Sequence, residues 1–448
     1  MSSSPRYTGP VVRITPTLLY VHRARHIPAI YSRRADKSSF YITGAWGKVE
    51  SLFNMRDAGV HARARKIIAV PYSFSNVQRM EPLVDEQVRR WIDRIDASFA
   101  APPLCREFNF VPWAFYLAYD VVSSVGFGAP IGFIEQGRDV FGLARCVGDG
   151  MPVFGLMSIF WPFTEWIKTT FLGRYLVSSP QDKTGFGVAL RFRDEVVEQR
   201  LKDIAAGKAS DRRDFLHHFL EARDADGKPL DIEYVKAEAN LTLVAGGNTV
   251  GSSLNSFLQN ILMRPDVYEK LTSEIDDATK AGKLSAAMPQ HAEVMEHCPY
   301  LVACLRECMR IDPEAQTTMP RIVPPGGLEL SGYFIPAGTE VTCSPWHAHH
   351  DTSIYGDDVE SFRPERWMYD RDRAVEYLKY SMNFGSGVRS CLGKDLAMMQ
   401  LFKAGILLLR SFRVEFVDER TPVRRRMKGG LRIFEEMRLR IERRAPVL

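Results

Sequence analysis

Phe384-Gly385-Ser386-Gly387-Val388-Arg389-Ser390-Cys391-Leu392-Gly393 is the stretch on which the reading of this 448-residue chain turns. Apolar residues at helical spacing follow it: Leu396, Ala397, Met399, Leu401, Ala404, Leu407 and Leu408. Cys391 therefore stands where a glycine-rich loop enters a helix. Unpaired N–H groups and the positive end of the helix dipole favour a thiolate there, so a lowered thiol pKa is expected. Gly385 and Gly387 let the loop turn sharply and let a flat ligand approach the backbone. Arg389 offers a planar cation suited to a carboxylate. Two plainer readings compete. One is a buried structural cysteine before an ordinary helix. The other is a phosphate loop, but the third glycine and the Lys-Ser/Thr pair of such loops are missing.

Upstream, Glu307 and Arg310 are spaced to pair on one face of a helix that ends before Pro313. Alone, such a pair is usually solvated and worth under about 1 kcal/mol. Phe362-Arg363-Pro364-Glu365-Arg366-Trp367 comes next in the chain. Further upstream, a long helix is predicted from about Ile232 to Met263, stopping before Pro265. It contains Ala245-Gly246-Gly247-Asn248-Thr249, and each glycine inside a helix costs roughly 1 kcal/mol relative to alanine. The glycines need a reason: close helix packing, a helix end, or a local opening where a small ligand sits beside a hydroxyl.

In this order the segments resemble the cytochrome P-450 family. Its signature Phe-x-x-Gly-x-Arg-x-Cys-x-Gly is met by Phe384, Gly387, Arg389, Cys391 and Gly393. Glu307 and Arg310 match its Glu-x-x-Arg, and Arg366 its Pro-Glu-Arg-Trp. The resemblance covers the chain from about residue 9 to its end, and Pro320 to Gly327 look most like fungal secondary-metabolite members. It implies a mainly α fold with small β-sheets and a long central helix over the heme. It also implies a single heme-thiolate oxygenase domain over residues 1–448. Cys391 becomes the axial ligand of the iron of heme b (iron protoporphyrin IX), and Glu307, Arg310 and Arg366 become a structural network. Arg321, Arg389 and Arg65 become partners of the heme propionates. His61-Ala62-Arg63-Ala64-Arg65 is similar to the family's Trp-x-x-x-Arg, with His61 in place of Trp and still able to donate a hydrogen bond. Arg63 is a rival for Arg65.

The resemblance further assigns catalysis to Thr249 and to the residue before it, where the family carries Asp or Glu. Here that residue is Asn248, which hydrogen-bonds but does not ionise. Thr249 is expected to orient a water chain, and the proton path stays open. The implied activity is monooxygenation of a small apolar organic substrate. Its electrons would come from an NADPH-cytochrome reductase or a similar donor, since no flavin or nicotinamide module is found. Two alternatives stand beside it. One is a heme-thiolate enzyme with a non-hydroxylating outcome (dehydration, isomerisation, coupling or peroxide-driven oxygenation); the other is a heme-binding protein without catalysis. By family position, Gln316, Thr317, Thr318, Leu243, Ala245 and Gly246 face the substrate. Tyr7 to Pro16 looks like the family's first strand. The anchor and first helix that precede it in membrane-bound fungal members are expected to be absent. Localisation is then the cytosolic face of the endoplasmic reticulum, with peripheral membrane contact, or solution.

Bulk properties agree with a globular enzyme. Apolar residues make up 45% and charged residues 25% of the chain, which excludes a disordered or fibrous protein. A net charge of +5 is too weak to imply nucleic acid and suits an acidic partner or an anionic membrane surface. Seven cysteines (105, 146, 298, 304, 308, 343 and 391) show no CxxC spacing, so a zinc ribbon or a disulfide framework is excluded. Cys304 and Cys308 read as core packing. No stretch reaches the roughly 20 apolar residues of a membrane span. The nearest, Val153 to Phe163 and on to Leu172, reads as core or as a segment resting at a membrane interface. Strands are expected at Val11 to Ile14, Leu18 to Val21, on both sides of Pro336-Ala337-Gly338, and at Phe412 to Phe416 and Met437 to Ile441. His347 and His349 would share a strand face. Arg424-Arg425-Arg426 reads as a solvated turn, or as a dock for an acidic reductase.

Overall fold

Asp231 starts the longest element, the helix Ile232–Leu262, by accepting hydrogen bonds from the N–H groups of Glu233 and Tyr234. In this computed structural model, residues 9–41, 49–100, 106–173, 178–182, 186–208, 213–418, 423–428 and 430–445 are described. Cys105 and the first two residues of the Tyr7–Pro16 segment lie outside them. The helix runs unbroken through Ala245–Thr249, so the two glycines neither end it nor open it. They serve close packing. Helix Val111–Phe127 lies antiparallel against them. A Cβ on Gly246 would come within 2.5 Å of Val122, and one on Gly247 within 2.5 Å of the Tyr119 ring. On Gly251 it would run into Phe115.

Helix Lys394–Ser411, the one that follows the cysteine loop, buries its apolar face on the same core. A second, smaller core gathers Leu19, Val21, Ile27, Val341 and Trp367 beside a four-stranded sheet. Its order is Val11–Arg13, Leu18–Val21, Glu340–Thr342, Arg321–Ile322, with the two middle strands parallel. This pairing carries Arg321 next to the N-terminal segment, and Lys37 bridges to it directly.

Several local expectations need correction. Strands do flank Pro336-Ala337-Gly338, but not as partners: Tyr333–Ile335 pairs with Leu328–Leu330, while Glu340–Thr342 joins the N-terminal sheet. Pro345–His349 is a helix, because Ser344 caps it. Among the described residues, no group of three His, Cys, Asp or Glu could hold a metal ion. Arg424–Lys428 is a strand paired with Leu431–Glu436. Its arginines are matched: Arg424 with Glu436, Arg425 with Asp312 and Arg426 with Glu435, at 2.5–2.7 Å. Cys304 and Cys308 are buried; the expected strands form at Phe412–Phe416 and, one residue later than expected, at Arg438–Arg443, and the two pair with each other. Val140–Ile159 is long and apolar enough to cross a membrane by length and composition, with a mean hydropathy of 1.3. Leu156, Ile159, Phe160, Phe163, Trp166 and Phe171 are exposed while Phe154 and Met157 are buried, so one face of this stretch packs on the protein and the other is bare.

Candidate active site

The cysteine loop is held from both ends. The Cys391 N–H donates to the Phe384 carbonyl at 2.7 Å, which folds the ten-residue stretch back on itself. Gly387 has φ +68°, and a Cβ there would drive into the Tyr31 carbonyl oxygen, so only glycine fits. Gly393 leads into helix Lys394–Ser411, and its N–H reaches the sulfur. Cys391 keeps exposed surface although protein encloses it; the sulfur opens on an internal space rather than on the outside. The expected lowering of the thiol pKa is not found. Burial raises it, and the Gly393 N–H and Arg65 oppose that without winning. A sulfur so placed ionises in partnership with a strong cation such as a metal.

Around this space the fold assembles cations. His61 is buried, and its ring is pushed down to about 3, first by burial and then by Arg389, Lys37, Arg65 and Arg321. Four positive groups therefore surround one neutral imidazole. Arg389 donates to the carbonyls of Met55 (2.8 Å) and Arg56 (2.6 Å). Arg321 donates to the Tyr41 hydroxyl at 2.7 Å and lies over the Tyr31 ring. Lys37 donates to the Phe53 carbonyl at 2.5 Å. Arg65 lies within electrostatic reach of the Cys391 sulfur. Arg63 points to the exposed side of the same helix, which separates the two rivals. Among the described residues, none of Lys37, Arg65, Arg321 and Arg389 forms an ion pair with a carboxylate, although burial lowers the pKa of Lys37, Arg65 and Arg389. Sequence reasoning missed Lys37. It lies in Asp36-Lys37-Ser38-Ser39, which reads as an ordinary polar loop.

The long helix supplies the other wall. Ala245 and Thr249 are exposed in the middle of a helix that is otherwise largely buried, one turn apart on one face. Thr249 returns its hydroxyl to the Ala245 carbonyl at 2.8 Å. Tyr72 bonds Thr242 on the same face at 2.8 Å and is within electrostatic reach of Cys391. Asn248 does not join them: its amide oxygen accepts from the buried Tyr119 hydroxyl at 3.0 Å, toward helix Val111–Phe127.

Beneath the site, Glu307, Arg310 and Arg366 come together as a closed knot. Arg310 grips Glu307 with two bonds of 2.8 Å, Arg366 adds one at 3.0 Å and the Trp367 indole one at 2.9 Å. The spare guanidinium N–H groups go to the carbonyls of His349, Val359, Ser361 and Tyr355. The buried charges are thus paired and hydrogen-bonded throughout, as burial demands.

A family model described as cytochrome P-450 matches residues 10–436. The chain belongs to the cytochrome P-450 family. Quiannulatic acid synthase of Emericella variicolor is 36% identical over 85% of this chain and 75% of that protein. Cytochrome P-450 monooxygenase gsfF of Penicillium aethiopicum is 32% identical, over 92% and 82% respectively. Cytochrome P-450 monooxygenase cicH of Emericella nidulans is 30% identical, over 89% and 79%. The protein is thus a heme-thiolate monooxygenase of the kind found in fungal secondary metabolism, with the mainly helical fold of its family. Members of this P-450 family generally take electrons from a redox partner and act on small organic molecules. The residues present fit the cofactor: a sulfur opens on an internal space, and four basic groups that form no ion pair with a carboxylate among the described residues could meet two carboxylates.

Proposed function

We propose that the whole chain is one heme b domain that inserts one oxygen atom of O2 into a small, largely apolar secondary metabolite. Its electrons come from an NADPH-cytochrome reductase or an equivalent donor. What carries this reading is the pairing of Cys391, enclosed yet accessible, with Lys37, Arg65, Arg321 and Arg389, which form no ion pair with a carboxylate among the described residues. Cys391 would hold the heme iron through its sulfur. Phe384, Gly387 and Gly393 shape the loop around it. Arg65, Arg321 and Arg389, with Lys37, hold the propionates, and His61 supplies a neutral hydrogen-bonding ring beside them. When bound, a heme with thiolate ligation supplies the oxygen-activating chemistry, the thiolate pushing electron density toward O–O cleavage. Thr249 faces the space above and orients water there; Asn248 acts at one remove, through Tyr119. The substrate lies against Ala245 and Thr249. The cytosolic face of the endoplasmic reticulum, with the exposed aromatic stretch at the membrane surface, is the location we favour.

The test is direct. A reduced sample under carbon monoxide should give the thiolate-type Soret band, and a band of any other type would sink the assignment of Cys391. Product analysis then identifies the substrate. One relative is named as the synthase of an acid, so oxidation toward a carboxylic acid is the first outcome to seek. The placement of Asn248 on Tyr119 favours a second reading, a non-hydroxylating outcome with the same cofactor. Reductant and oxygen consumed per product separate the two.

A further inference from the structure

Residues 51–57 form a short strap that leads into the helix Ala58–Ile68. Lys37 donates to the Phe53 carbonyl at 2.5 Å, and Arg389 to those of Met55 and Arg56 at 2.8 and 2.6 Å. Asn54 donates to the Tyr41 carbonyl at 3.0 Å, and the hydroxyl of the same Tyr41 accepts from Arg321 at 2.7 Å. Asp57 ends the strap by capping the helix that carries Arg65. Each of the four cations is therefore tied to the strap, directly or through one residue or one helix. Ammonium and guanidinium groups carry several donors, so a cation anchored on a carbonyl keeps others for a second acceptor.

The long helix holds the strap from the other side. Buried Glu238 accepts the Leu52 N–H on its Oε1 at 2.6 Å. Among the described residues, this is the hydrogen bond that joins the strap to the long helix. Glu238, Thr242, Ala245 and Thr249 recur at helical spacing, so the acid stands on the face where Ala245 and Thr249 are exposed. Its charge also bears on the cluster: Arg321, Arg389 and Arg65 repel Lys37, and Glu238 attracts it. Burial raises the Glu238 carboxyl to about 7, so at neutral pH it offers an acceptor oxygen more than a full charge.

We propose that Glu238 is a positioning residue for the cofactor: through the Leu52 N–H it fixes the strap, and the strap fixes the cations that meet the propionates. Its oxygen restrains the backbone of Leu52, so that Phe53, Met55 and Arg56 present their carbonyls where Lys37 and Arg389 take them up. Without that restraint the strap moves away from the helix, and the cations move with it. The proposal rests on the heme reading above.

The experiment uses the heme-loaded full chain with Glu238→Gln, Glu238→Asp and Glu238→Ala. Gln keeps an acceptor oxygen at the same reach, whereas Asp keeps the acid but stops one methylene short. Transfer of heme to an acceptor protein should therefore quicken about tenfold in Glu238→Asp and Glu238→Ala, the size of a lost hydrogen bond to a charged group, and stay near the parent rate in Glu238→Gln. Hydrogen exchange at the Leu52 amide should quicken in the same two variants, with the middle of the long helix unchanged. If Glu238→Ala does not take up heme, the contrast between Gln and Asp decides. Fast transfer in Glu238→Gln with parent-like transfer in Glu238→Asp overturns the proposal, because charge on Lys37 would then be what matters. So does a Leu52 amide that exchanges no faster in either shortened variant. Adding Glu238→Ala to Arg389→Gln should cost clearly less than in the parent, since part of its effect passes through Arg389; an equal added cost marks plain destabilisation and overturns the proposal too. A parent without the thiolate-type carbon monoxide spectrum fails at the underlying reading, whereas a normal spectrum with heme transfer unmoved in all three variants defeats the positioning role alone.

Discussion

Arg310 and Arg366 are buried side by side, and a buried Arg321 stands with a half-buried Arg389, yet the two groups end in opposite states. The first pair shares Glu307, Arg366 also meets the Asp358 carboxylate at 3.1 Å, and further N–H groups of both go to carbonyl oxygens. The second pair, joined by Lys37 and Arg65, meets carbonyls, a phenol and one another, and no carboxylate forms an ion pair with it among the described residues. A buried charge without a partner is tolerated only where something else repays it. The closed knot is repaid by folding itself. The open cluster suits an anion that arrives from outside, and we propose that the heme propionates supply it.

Cys391→Ala gives the largest effect that this contrast predicts. The chain should fold with both groups intact and yet show no thiolate-type Soret band and no oxygenation; retained turnover would mean that the open cluster serves another ligand. Breaking the knot comes next. Glu307→Gln strands two buried guanidinium groups and should cost about 3–5 kcal/mol in urea unfolding of the heme-free protein. Removing a cation from the open cluster should do the reverse. Arg389→Gln or Lys37→Met should leave the heme-free protein as stable as its parent or slightly more so, because like charges are relieved. Heme retention should weaken by about tenfold, or about 1.4 kcal/mol, read by transfer of heme to an acceptor protein. Equal losses from both groups would erase the distinction.

The smallest expected effect is a pH slope. His61 stays neutral down to about 3 in the fold, while an unfolded chain takes up the proton near 6.5. Its folded pKa is depressed, so its contribution to stability is complete above pH 6.5 and declines as the pH falls toward 3. In the heme-free protein, His61→Gln should flatten the acid limb of the stability curve over that window. Urea midpoints that keep their slope would show that the surrounding cations do not act on this ring.

Local pattern carried much of this. The run from Ile232 onward and the Pro265 that stops it place the long helix to within a residue of its observed end. The glycines were ambiguous because a glycine reports only that space is short or that backbone must turn. Val122, Tyr119 and Phe115, which fill that space, lie more than a hundred residues away in the chain. His347 and His349 read as neighbours on a strand face because composition shows no direction. In the fold His347 meets the Tyr20 hydroxyl, His349 accepts from the Met382 N–H and His350 stacks on Trp346. Arg424 to Arg426 looked like free charge because the acids that match them, Glu435, Glu436 and Asp312, sit across a strand pair and at the end of a distant helix.

The sequence by itself determined the family, the candidate ligand Cys391, the loop glycine that Tyr31 requires and the three members of the knot. These are chemical groups at fixed short spacings, and the chemistry of each spacing is readable without the fold. Only the tertiary structure decided that Lys37 belongs with Arg321 and Arg389, that Arg65 rather than Arg63 faces the sulfur, and that Asn248 looks away from it. It also decided that Cys391 and Glu238 hold their protons more tightly than their neighbours in sequence suggest. Charge and pKa depend on what surrounds a group in three dimensions, and those surroundings come from segments that only packing brings together.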